Sequence, residues 1–139
     1  MTLSLQGQVA FITGGGSGLG AAAARRLAAD GAIVAINDLN LDAAKKVADE
    51  LGGLAFAFDV TDSAAFQSAV DTCVAQLGRL DIMINNAGIA PNDAASKMDL
   101  VMENMGKRMA GNIAEMEPTN YLLDLSDENW DRMIKVHLY

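Results

Sequence analysis

The chain has 139 residues, about half of them apolar and a fifth charged, and carries a formal net charge of −8 at pH 7. That length predicts one domain with a buried core. The acidic balance, without a basic cluster, argues against a nucleic-acid surface, and no apolar run reaches the length of a membrane span. The stretch Met1–Gly7 lacks the basic and long apolar segments of a secretory signal. The single cysteine, Cys73, excludes an internal disulfide and reads as a small core residue on a helix. Together these features place the protein in the cytoplasm, with neither nucleic acid nor membrane as partner and no metal site assigned.

In chain order, the apolar run at 8–13 predicts a first strand, followed by the glycine-rich stretch Thr13–Gly20 and an alanine-rich helix over 18–30, closed by Asp30-Gly31. Ala32–Ile36 is a β-branched run ending at Asn37-Asp38, a second strand. Asn40 or Asp42 caps a helix over 41–51, which stops at Gly52-Gly53. Leu54–Phe58 predicts a third strand closing on Asp59. Thr61-Asp62-Ser63 starts a helix to Leu77, stopped by Gly78, and Leu80–Ile84 is a fourth strand ending at Asn85-Asn86-Ala87-Gly88. This alternation means right-handed βαβ units. The fold class is therefore α/β, a Rossmann-type doubly wound parallel sheet of about four strands in the order 3-2-1-4, with helices on both faces.

The rhythm breaks after Gly88. Residues 89–125 form a connection far longer than usual, before a last helix over 126–139. Met98, Met102, Met105, Met109 and Met116, with Val101 and Ile113, recur at helical spacing. The segment is an insertion carrying an amphipathic, Met-rich helix. It packs on the body or serves as a lid or subunit contact, since methionine suits adaptable apolar surfaces.

The candidate ligand residues each follow the C-terminal end of a strand, where open α/β sheets bind ligands. Gly14, Gly16, Ser17, Gly18, Leu19 and Gly20 follow the first strand and open a helix, whose free N–H groups and positive dipole end suit a phosphate. Asp38 follows the second strand, about twenty residues beyond the glycine turn, where a carboxylate accepts hydrogen bonds from a ribose diol. It also repels a 2′-phosphate, which favours NAD over NADP. Asp59 and Val60 follow the third strand, and Asp59 suits an adenine amino group. Asn86, Ala87 and Gly88 follow the fourth.

These residues resemble the short-chain dehydrogenases/reductases. Thr13-Gly14-x-x-x-Gly18-x-Gly20 is similar to that family's cofactor signature, Asp38 to its NAD-selecting acid, Asp59-Val60 to its adenine-contacting pair, and Asn85–Gly88 to its Asn-Asn-Ala-Gly motif. Residues 125–139 look like its fourth helix. The chain as a whole, 1–139, is then the N-terminal part of an NAD(P)-binding domain. The resemblance implies NAD-dependent hydride transfer between nicotinamide and an alcohol or ketone, in a homo-tetramer or dimer.

Two departures accompany the resemblance: the long 89–125 segment, and His137 where the family usually carries an asparagine that helps hold a proton-relay water. Histidine there suits a water contact or a titration near neutral pH, but a lone helical histidine is more often a packing or surface residue. The family's catalytic tyrosine works with a lysine four residues later, which lowers the phenol's pKa. No Tyr-x-x-x-Lys occurs in this sequence: Tyr121 is followed four residues later by Leu125, and Tyr139 is the last residue. No catalytic tyrosine, lysine or serine is therefore assigned. The fourth strand would leave Ile82 and Ile84 on an apolar sheet edge, and the last helix lacks a cap. The expectation is the N-terminal part of a longer enzyme, inactive by itself. The alternatives are a non-catalytic NAD-binding sensor or regulatory protein, and a scaffold that presents the Met-rich helix to a partner.

Overall fold

The computed structural model describes residues 4–90, 94–119 and 125–138. The chain divides into two compact units, Met1–Gly88 and Ile89–Tyr139. The first contains β1 (Val9–Thr13), α1 (Gly18–Ala29), β2 (Ile33–Asp38), α2 (Leu41–Leu51), β3 (Leu54–Ala57), α3 (Ser63–Leu77) and β4 (Ile82–Ile84). The four strands form one parallel sheet in the order β3-β2-β1-β4.

β1 is buried along its whole length because both of its faces are covered. Ala10, Ile12, Val34 and Ile36 face α1 and α2, meeting Ala21, Ala24, Ala44, Val47 and Ala48. Val9, Phe11 and Ala35 face α3, meeting Ala69 and Cys73. Alanine at these helix positions lets the backbone approach the sheet closely. The second face is filled by aromatic rings: Phe11 stacks on Phe56 at 5.4 Å between centroids and lies 6.1 Å from Phe66, which meets Phe58 edge-on. Burial pushes the Cys73 thiol up from its ordinary pKa, so it remains a neutral core group.

The helix boundaries follow local chemistry. The Asn40 side chain accepts from the N–H groups of Asp42 and Ala43, and that of Asp62 from Ala64 and Ala65. Gly52 and Gly78 close the same helices in the left-handed region. Strand boundaries shift by one or two residues from the sequence pattern, and two of the shifts have a visible cause. β2 runs on to Asp38, because Asn37 and Asp38 pair with Thr13 and Ala57 of neighbouring strands. β4 starts only at Ile82, because Asp81 uses its side chain there: Oδ2 accepts from the Val9 N–H at 2.8 Å while the Asp81 N–H donates to the Val9 carbonyl.

The second unit contains α4 (Ala94–Met109), a 3₁₀ turn (Ile113–Glu115) and α5 (Asp127–Leu138). The apolar periodicity continues to Met116, but α4 ends at Met109. Gly111, at φ 83°, turns the chain out of the helix. Met98, Met102, Met105 and Met109 are exposed. Among the described side chains of α4 the buried one is polar: Asn104 donates from Nδ2 to the Glu117 carbonyl at 2.6 Å and accepts the Glu117 N–H at 3.0 Å.

Two predictions follow from this packing. Phe11→Ala leaves a cavity beneath Phe56 and Phe66 and is expected to cost about 3–5 kcal/mol in urea unfolding. The Arg79 guanidinium beside Asp81, joined by the Val9 N–H, holds the Asp81 carboxyl below the usual carboxylate range. Its folded pKa lies below its unfolded one, so its contribution is present above the unfolded pKa of about 3.9 and is lost as the pH falls through the folded value. Asp81→Asn should therefore flatten the acid limb of a stability–pH profile below about pH 4.

Candidate functional site

Parallel pairing brings the C-terminal ends of all four strands to one edge of the sheet. Thr13 pairs with Asn37, Asp38 with Ala57, and Ile12 with Ile84. The loops 14–17, 39–40, 58–62 and 85–88 leave from that edge. Together with the first turn of α1 and the last residue of β2, they carry the residues singled out in the first unit: Gly14, Gly16, Ser17, Gly18, Leu19, Gly20, Asp38, Asp59, Val60, Asn86, Ala87 and Gly88.

The loops after β1 and β4 are locked together. The Thr13 hydroxyl oxygen accepts the N–H groups of Asn86 and Ala87, each at 3.0 Å, and donates to the Ile84 carbonyl at 3.4 Å. The Asn86 amide donates from Nδ2 to the carbonyls of Thr13 and Gly14, both at 3.1 Å. Glycine is needed where these loops touch. Gly14 has φ 60°, and a Cβ there would lie 2.9 Å from the Ala87 Cα. At Gly20 a Cβ would strike the Gly14 carbonyl and sit 2.6 Å from the Asn86 Nδ2.

The loops after β1 and β2 meet through Asp38. Its Oδ2 accepts the Gly16 N–H at 3.0 Å and its Oδ1 the Asn40 N–H, also at 3.0 Å. A Cβ at position 16 would lie 2.8 Å from that Oδ2 and 2.9 Å from the Ala43 Cβ, so the carboxylate keeps its place only beside glycine. Each oxygen retains a further lone pair for a hydroxyl donor.

The start of α1 differs from that of α2 and α3. Ser17, extended at φ −154°, makes no side-chain capping bond, and the first turn holds no acidic residue. The first-turn N–H groups of a helix have no partner within it, so the α1 terminus presents unneutralised donors and the positive end of the helix dipole. Leu19, in this first turn, is 84% exposed. Asp59 is exposed; its Oδ1 accepts from the N–H and hydroxyl of Thr61, which leaves the capping of α3 to Asp62. Val60 is half-buried and Gly88 exposed.

His137 lies on α5, in the second unit, where its ring meets the backbone of Ile89. The sequence reading overlooked three contributors to the first unit's site: the Thr13 hydroxyl, the Asn40 N–H, and Asn37, whose buried side chain accepts the Phe58 N–H at 3.3 Å. Their signal is a polar residue at the last position of a buried strand, or just beyond it.

Residues 8–113 match the sequence model of the short chain dehydrogenase family. The chain belongs to that family. The chain is 44% identical over 101 residues to a D-threitol dehydrogenase of Mycolicibacterium smegmatis, an overlap covering 69% of this chain and 39% of the relative. It is 39% identical to a sorbitol dehydrogenase of Cereibacter sphaeroides, over 81% of this chain and 44% of that one. Among solved structures, a 3-ketoacyl-(acyl-carrier-protein) reductase from Brucella melitensis, complexed with NADH, superposes with a TM-score of 0.74 at 34% identity. That match covers 97% of this chain and 46% of the reductase. The chain thus spans less than half the length of these relatives.

The junction of the β1 and β4 loops has a direct test. Thr13→Val keeps the shape but removes the acceptor of two N–H groups. It is expected to destabilise the protein by about 2–5 kcal/mol in urea unfolding, the range for leaving buried donors unpaired. An effect under about 0.5 kcal/mol would show that the hydroxyl does not hold the loops.

Proposed function

We propose that this chain forms the cofactor-binding part of an oxidoreductase that moves a hydride between NAD and an alcohol or ketone. The observation that carries this reading is the uncapped, acid-free start of α1 set beside a carboxylate held by two backbone N–H groups. The first suits a pyrophosphate and the second a ribose diol, and Gly16 joins them directly. In this reading Gly14, Gly16, Ser17, Gly18, Leu19 and Gly20 hold the pyrophosphate side, and Asp38 accepts the adenosine ribose hydroxyls. Asp59 and Val60 border the adenine, while Asn86, Ala87 and Gly88 form the wall reached by the rest of the dinucleotide.

The bound nicotinamide supplies the hydride acceptor or donor. The chain's own residues bind and orient it. The α1 N–H groups neutralise phosphate charge, Asp38 fixes the ribose, and the Asn86 amide, tied to the Thr13 and Gly14 carbonyls, keeps the loops at their spacing. The proton-transfer role is given to none of this chain's residues. Support for the substrate class comes from the relatives, named as dehydrogenases of D-threitol and sorbitol. The family resemblance supports a homo-oligomer, a tetramer or dimer, as the assembled form, and the single cysteine supports a cytoplasmic location.

Asp38 also decides between the two nicotinamide cofactors. A 2′-phosphate would bring negative charge against a carboxylate that Gly16 and Asn40 hold in place. Calorimetric titration of the chain should therefore find NADH bound more tightly than NADPH. Asp38→Ala should weaken NADH by about tenfold or more, the scale of a lost hydrogen bond to a charged group, and should narrow the gap between the two. Equal affinities in the wild type would overturn the NAD assignment.

A further inference from the structure

We propose that the methionine face of α4 docks on the same face of a second copy of this chain, with the two helices antiparallel. Met98, Met102, Met105 and Met109 are between 53% and 86% exposed. They lie on the side of α4 away from Leu100, which is half-buried, and Asn104, which is buried. The steps between them are four, three and four residues. That alternation is the seam of a two-helix coiled coil, in which apolar side chains every 3.5 residues stay in line along the facing helix. A helix with the same repeat matches such a line, and a second α4 supplies one. Methionine fills the seam without demanding a single fit.

The charges set the direction. Glu103 and Lys107 pair within the helix at 2.7 Å, and Lys97 lies seven residues before Asn104, on the side of the helix away from the seam. Asp99, near the start of the seam, and Arg108, near its end, are exposed. Parallel helices would set each of these level with its own like charge. Antiparallel helices set Met98 level with Met109, Met102 with Met105, and Asp99 with Arg108. The same orientation opposes the two helix dipoles. Gly106, one position beyond Met105, agrees with a close neighbour. A glycine inside a helix costs about 1 kcal/mol relative to alanine. Here its φ is not positive, and a Cβ would meet nothing within 4 Å. Among the described residues nothing calls for glycine at this position; a second helix passing beside the seam does. The contact is independent of nucleotide binding, and it names one surface of the homo-oligomer.

Two single substitutions in the 139-residue chain, Met98→Cys and Met109→Cys, test this inference. Both positions are exposed, and Cys73 is buried and does not compete. In the antiparallel pair, like positions lie about 16 Å apart along the axis, beyond disulfide reach, while positions 98 and 109 share a layer. An equimolar mixture is oxidised in air with a copper catalyst, one variant carrying a tag that changes its mass. The mixed disulfide should exceed either like pair by about fivefold or more. Equal yields of all three, an excess of like pairs, or no crosslink would overturn the arrangement. Sedimentation of the unsubstituted chain at about 100 μM should show a dimer, and Met102→Glu should raise its dissociation constant about tenfold or more, the scale of placing an unpaired polar group in an apolar layer. A monomer at that concentration would overturn the contact. So would a dimer that Met102→Glu leaves unchanged, but that result would keep the homo-oligomer and move it to another surface.

Discussion

The hydroxyl of Thr13 is the point on which the site's geometry depends. β1 and β4 are neighbours in the sheet but more than sixty residues apart in the chain, so nothing local sets the distance between the loops that leave them. Thr13 sets it by accepting the N–H groups of Asn86 and Ala87 together. Buried at 2% exposure, this oxygen works where water does not compete. Once the two N–H groups are held, the Asn86 side chain reaches the Thr13 and Gly14 carbonyls. The resulting separation leaves no room for a side chain at Gly14 or Gly20. The glycines therefore answer a demand made by the β4 loop as well as by the turn in which they lie.

Asp38 plays the corresponding part on the other side of β1. A carboxylate at a strand end is normally free to rotate. Here each oxygen is claimed by a backbone N–H, one from the glycine turn and one from the approach to α2. In the proposed cofactor reading, the fixed orientation would lower the entropy lost on engaging a diol and make the negative charge harder to move aside for a phosphate, so that affinity and discrimination would both rest on the same two hydrogen bonds.

Much of the first unit was legible in the sequence because its signals are local. Glycine stops, asparagine and aspartate caps, and short β-branched runs each act within a few residues, and the strand order followed from their alternation. The exceptions depended on distant partners. Asn37 reads as a turn residue until the chain just beyond β3 supplies the Phe58 N–H; Asp81 reads as a strand residue until β1 supplies the Val9 N–H. Thr13 looked like the end of a strand, with no local sign that its hydroxyl would gather two amides. Polar residues at buried strand ends carry long-range information that periodicity cannot encode.

The second unit inverts the usual amphipathic logic. Periodicity grouped the methionines of α4 on one face, suited to packing, a lid or a subunit contact; four of them are exposed, and among the described side chains of this helix the buried one is Asn104. A buried amide is unfavourable unless both of its ends are satisfied. The Glu117 peptide satisfies both, one N–H and one carbonyl, as a neighbouring strand would. That pairing closes the chain back onto α4 across the 3₁₀ turn without using the apolar stripe. Hydrophobic spacing identified the helix but carried no sign of this anchor, because the bidentate hydrogen bond of one asparagine depends on a residue thirteen positions away.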